Sequence, residues 1–123
     1  MKGMFFTLCS LAIASTSAYG SGATGTTTIG SIHYLNTGIV NVWVDITPST
    51  RAPITNIPAC VNPQAVGNQY SYAFDATTPA GRILLAGLIS AQTSGLSIWP
   101  AGTGDCGVLA GHETLLNFFV ETQ

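Results

Sequence analysis

With three Lys or Arg against five Asp or Glu, and 7% charged residues overall, this chain of 123 residues is too poor in cations to neutralise a row of phosphates. The same deficit argues against electrostatic docking on anionic lipid. Nucleic-acid binding and a basic membrane footprint are therefore set aside.

The opening stretch, MKGMFFTLCSLAIASTSAYG, places Lys2 ahead of an apolar run from Met4 to Ile13 and then a tract of small residues. That is the three-part form of a secretory signal peptide. The apolar run falls short of the roughly 20 residues a spanning helix needs, so no membrane anchor is expected. Cleavage fits after Ala18, with Thr16 three positions before the cut, or after Gly20, with Ala18 there. The second is preferred, giving a signal peptide at 1–20 and a single domain at 21–123, secreted or periplasmic after cleavage. Cys9 leaves with the signal, since Leu8 stands where a lipoprotein has a small residue. Losing Lys2 takes the formal charge from −2 to −3, on a domain of about 103 residues, enough for one core.

Two cysteines remain, Cys60 and Cys106, in a compartment where thiols oxidise. A disulfide between them is expected; it would enclose about 45 residues and stabilise the fold by roughly 4 kcal/mol on the chain-entropy estimate. Two isolated cysteines lack the paired spacing of a zinc site.

In chain order, SGATGTTT at 21–28 reads as a mobile leader. Residues 29–35 read as a strand, NTG at 36–38 as a turn and IVNVWVDI at 39–46 as a second strand, together a hairpin. Val40, Val42, Val44 and Ile46 share one face of the second strand, taken as the core face, while Ile39, Asn41, Trp43 and Asp45 share the other. Residues 47–69 carry Pro48, Pro53, Pro58 and Pro63 and read as a wandering connection with a short edge strand near 54–61. QYSYAF at 69–74 alternates as a third strand, with Tyr70, Tyr72 and Phe74 on one side. A helix over 79–93 follows, capped by Thr78, with Pro79 at its first position and Gly95 past its end. LSIW at 96–99 is a fourth strand, PAGTGDCGVLAG a glycine-rich loop, and ETLLNFFVE at 113–121 the last strand.

On a helical wheel Leu84, Leu85, Leu88 and Ile89 form the arc expected to face the sheet. The other side carries Ala80, Ile83, Ala86, Gly87, Ser90 and Ala91, with Arg82 and Gln92 the only long polar side chains. A helix so bare of charge suggests close approach by a second copy in a dimer or closed ring, with these six residues as the interface. The competing explanation is that small residues on an exposed face need no partner.

The element order β-β-β-α-β-β, mainly β with one α-helix, matches a small OB-fold-like barrel. The run YSYAFDATTPAGRILLAGLISAQTSGLSIWPAGTGDC resembles small exported bacterial proteins in which a helix ending in Ala-x-x-x-Gly leads to a strand, a Gly-x-Gly loop and a cysteine. More distantly it is similar to the receptor-binding B subunits of ring-forming toxins of the subtilase-cytotoxin and pertussis type. That resemblance implies a secreted OB-fold, oligomerisation and binding of cell-surface glycan. It covers residues 69–106 and carries over no glycan-contacting residue and no catalytic subunit.

His33, Asp105, His112 and Glu113 lack the spacing of a metal site. They read as surface or loop residues, and no metal or cofactor is expected. GTGDCG follows a strand without opening a helix and lacks a phosphate-loop lysine. Cys106 with His112 would make a nucleophile and base, but the disulfide consumes the thiol, so no catalytic residue is assigned. The Asn41, Trp43, Asp45 face is the candidate binding site: an indole can stack on a sugar while amide and carboxylate take hydroxyls. Packing of Trp43 under a loop or subunit is the alternative, and Tyr34 and Trp99 are weaker candidates. The function read from the sequence is a secreted, non-enzymatic, self-associating glycan-binding module; a structural or protein-interaction domain comes second and a small secreted hydrolase third.

Overall fold

The computed structural model describes residues 26–45, 57–62 and 69–121. The expected signal peptide, Ile46 and the connection outside 57–62 lie beyond the described residues. Within them run β1 (Ile29–Tyr34), β2 (Ile39–Asp45), β3 (Gln69–Asp75), α1 (Pro79–Thr93), β4 (Ser97–Gly102) and β5 (Glu113–Glu121). The order along the chain is the expected one. Across the sheet it differs: the strands lie β1-β2-β3-β5-β4, with β5 inserted parallel to β3 and the other neighbours antiparallel.

Among the described residues the chain is thus mainly β, with one helix on a mixed five-stranded sheet that is not closed. Its edge strands are β1 and β4, and just before β1 an isolated bridge to β4 has Thr27 and Ile98 exchanging backbone hydrogen bonds of 2.8 and 2.7 Å. This corrects the leader expected to run to Thr28: Thr27 is 1% exposed. β4 also outruns its expected end, passing through Pro100 to Gly102. An edge strand tolerates a proline because the missing N–H can face away from the ladder.

The hairpin forms as its sequence dictates, with Leu35 and Gly38 closing the turn. Val40, Val42 and Val44 point inward and meet Tyr70, Tyr72 and Phe74 from β3, together with Leu88 and Ala91 of α1, Ile98 and Leu115. The helix starts where the Thr78 hydroxyl accepts from the Gly81 N–H at 3.0 Å. It stops before Gly95, whose φ of 64° is the left-handed turn that favours glycine. At 57–62 the expected edge strand reduces to one bridge, Val61 pairing parallel with Gly111. Cys60 and Cys106 are disulfide-bonded, their Cα atoms 6.0 Å apart, and this ties that segment to the β4–β5 connection.

Glu113, expected at the surface, is instead 0% exposed. Its carboxylate accepts from the Tyr70 hydroxyl at 2.8 Å and the Gly104 N–H at 3.0 Å. Burial, then that carboxylate, push the Tyr70 phenol to higher pKa, so it stays protonated and keeps donating.

Candidate functional site

Residues opposite one another in a ladder share a face, so the register assembles the site. Asn41 lies between His33 and Ala73, Trp43 between Ser31 and Ser71, and Asp45 beside Gln69. All eight belong to the side of β1-β2-β3 away from the valine core. β1 reaches this register through an irregularity between Ile29 and Ser31, which keeps Ile29 and Ile32 inward while turning Ser31 and His33 outward.

Trp43 is the centre. The His33 ring lies 6.4 Å from it at a 50° tilt and the His112 ring 5.8 Å away, edge-on at 80°. Ser31 Oγ is 3.1 Å from His33 Nε2, and Ser71 Oγ makes a short hydrogen bond with His112 Nδ1. Asp45 is held at both oxygens, by Gln69 Nε2 at 2.9 Å and Thr28 Oγ1 at 3.1 Å. Two imidazoles and a ring of amide, hydroxyl and carboxylate groups thus surround a partly exposed indole. Strands β1, β2 and β3 carry all of them except Thr28, just before β1, and His112, just before β5.

Asn41 is the anomaly of this face. It is 4% exposed, and its Nδ2 has no hydrogen-bond partner among the described residues. A buried donor left unmatched costs about 1–3 kcal/mol, the kind of local imperfection that functional sites carry.

The expected binding residues Asn41, Trp43 and Asp45 are brought together, though Asn41 is buried rather than open. His33 and His112, read from the sequence as ordinary surface or loop residues, join them. The hairpin register places His33 opposite Asn41 and could have been counted out from the NTG turn. His112 arrives only through the parallel pairing of β5 with β3, for which the sequence carries no local signal.

The Ser71–His112 pair invites a hydrolase reading, but Ser71 is 0% exposed. A nucleophile must reach its substrate; this buried hydroxyl is bonded to the ring's Nδ1 and holds its orientation. Burial lowers the His112 pKa, favouring the neutral imidazole.

The six helix residues expected at an interface divide. Ala80, Ile83, Ala86 and Ser90 are exposed, Ile83 at 74%. Ala91 is 1% exposed and belongs to the core. At Gly87 a Cβ would come within 2.8 Å of Phe118 Cζ, so this glycine is small to admit the chain's own β5. Ile89, expected inward, is 41% exposed. Of the weaker candidates, Tyr34 is 62% exposed, and Trp99, 47% exposed, lies opposite Phe119 across β4 and β5.

Among the described residues no group of three or more His, Cys, Asp or Glu is arranged to hold a metal ion. No helix there is long and apolar enough to cross a membrane. No protein-family model matches the chain, and no curated protein and no solved structure matches it significantly.

Proposed function

We propose that this chain is an exported, non-enzymatic binding module that recognises glycan on the shelf centred at Trp43. One observation carries the reading: a partly exposed indole held between His33 and His112 on a three-strand face, with the partly exposed Ser31, Asp45 and Gln69 around it. The indole offers a flat apolar surface to the C–H face of a pyranose, and the surrounding groups are of the kind that exchange hydrogen bonds with hydroxyls.

Export is supported by the signal-like first 20 residues and by a disulfide suited to an oxidising compartment. Closure into an OB-type barrel is part of the proposal. The Thr27–Ile98 bridge supports it, since extending that pairing would join β4 to β1. The burial of Ser71 speaks for binding over hydrolysis. Self-association through α1 has less behind it, because Gly87 and Ala91 are small for reasons internal to the chain.

The test is glycan-array binding by the mature, oxidised protein. Trp43→Ala should weaken binding by at least about ten-fold, the loss of roughly 1.4 kcal/mol, with the cooperative melting transition retained. Phe119→Ala, on the β4–β5 surface, should leave binding unchanged. Binding that survives Trp43→Ala, or no glycan bound at all, sinks the proposal. A second reading, a protein partner docking on the exposed Trp99–Phe119 pair, is favoured if Phe119→Ala removes a partner that Trp43→Ala leaves bound.

A further inference from the structure

The charges around Trp43 narrow the ligand class, and this step rests on the glycan reading above. From β1 the face carries His33, from β2 Asp45, from β3 the neutral Gln69 and Ser71, and before β5 His112. The one fixed charge among these is the Asp45 carboxylate, two residues along the strand from Trp43. Arg82 is the single Lys or Arg among the described residues. It sits in the first turn of α1, bound to the Thr77 carbonyl at 3.2 Å. Thr77 lies beyond the end of β3, and Ser71 is four residues back from that end, about 13 Å along the strand. The mature chain's other arginine, Arg51, lies outside the described residues.

We infer that the shelf takes a neutral glycan and discriminates against sugars bearing carboxylate or sulfate. An anion placed on the indole has no described guanidinium or ammonium to meet it and has the Asp45 carboxylate beside it. Both Asp45 oxygens are already held by Gln69 and Thr28, so the carboxylate cannot easily swing aside. Repulsion at such a separation, partly screened by water, weakens binding by about ten-fold or more. Burial keeps His112 from supplying a compensating charge near neutral pH.

The experiment compares matched pairs of oligosaccharides, each neutral member beside its sialylated or sulfated counterpart, at pH 7.5. Binding is measured at about 0.05 M and about 0.5 M salt, where the screening length falls from over 10 Å to under 5 Å. The neutral member should bind at least about ten-fold more tightly at low salt, and the gap should narrow at high salt. Asp45→Asn should narrow it too. The comparison on the unmodified protein stands by itself if that variant folds poorly. Equal or tighter binding of the acidic member, lost on Trp43→Ala, overturns the neutral-ligand inference while leaving the glycan reading intact. No binding to either member, or binding indifferent to Trp43, removes both.

Discussion

The outer face of β1-β2-β3 and the outward side of α1 both present apolar groups to solvent, yet they differ in what explains their residues. On the sheet face Trp43 is ringed by hydrogen-bonding side chains drawn from three strands and from His112. On the helix Ala80, Ile83, Ala86 and Ser90 have no comparable company, and the smallest residue, Gly87, is accounted for by Phe118. A run of small side chains is explained by whatever comes closest, and here that is partly the chain's own β5. The polar groups around the indole bond one another, Asp45 with Gln69 and Thr28 and Ser71 with His112, and still leave the indole partly exposed.

The sharpest way to break this distinction is to charge both sides of α1. Ala91→Glu buries a carboxylate in the core and should cost about 3–5 kcal/mol or prevent folding. Ala86→Glu, on the exposed side, should change stability by no more than about 0.5 kcal/mol. Thermal melts decide the first difference. Light scattering decides a second: if Ala86→Glu lowers the solution mass, a second copy covers the helix after all.

Reducing the Cys60–Cys106 bridge should cost roughly 4 kcal/mol for a separation of 46 residues. The loss should be uneven. The bridge ties down the segment whose Asn62 N–H bonds the Gly111 carbonyl at 2.9 Å, immediately before His112. Hydrogen exchange after reduction should therefore quicken at 109–114 more than at 84–91. Equal acceleration in both would mean that the bridge stabilises the whole fold without a particular hold on the shelf.

What was legible in advance follows the range of the interactions. The helix ends were, because Thr78, Pro79 and Gly95 act within one turn. The valine face was, because alternation is local and the hairpin turn fixes its register. The site was legible as far as the hairpin carries it: Asn41, Trp43 and Asp45 follow from alternation alone. The meeting of His112 with Ser71, 41 residues apart, depends on the parallel β3–β5 pairing. The Thr27–Ile98 bridge depends on the two edges of the sheet coming together. Neither leaves a periodic trace. Gly87 and Ala91 were ambiguous for another reason: a small residue suits close approach from either side of a helix, and composition does not say which.

The smallest expected effect concerns pH, and it separates the two regions because His112 lies at the shelf and not on α1. Burial sets the His112 pKa below the ordinary value of 6.5, so the unfolded chain takes up a proton before the folded one does. Above about pH 6.5 both states are neutral at this position and it contributes no pH dependence. As pH falls through that value the unfolded state gains the proton first and stability declines. The decline ends once pH passes the lowered folded value and both states are protonated. The histidine is only partly buried, so the drop in melting temperature between pH 7 and 5 should be modest. Its assignment comes from the difference between the native protein and His112→Gln, which should lose that part of the slope. Protonation also bears on the Ser71 pair: once both ring nitrogens carry protons, Nδ1 can only donate to the hydroxyl. Exchange at 69–73 and 111–114 should therefore respond over this range, while α1, whose one titratable side chain is Arg82, should not. Identical slopes with and without His112, or a response shared equally by α1, would show that the imidazole is not held in the neutral form by its partial burial beside Trp43.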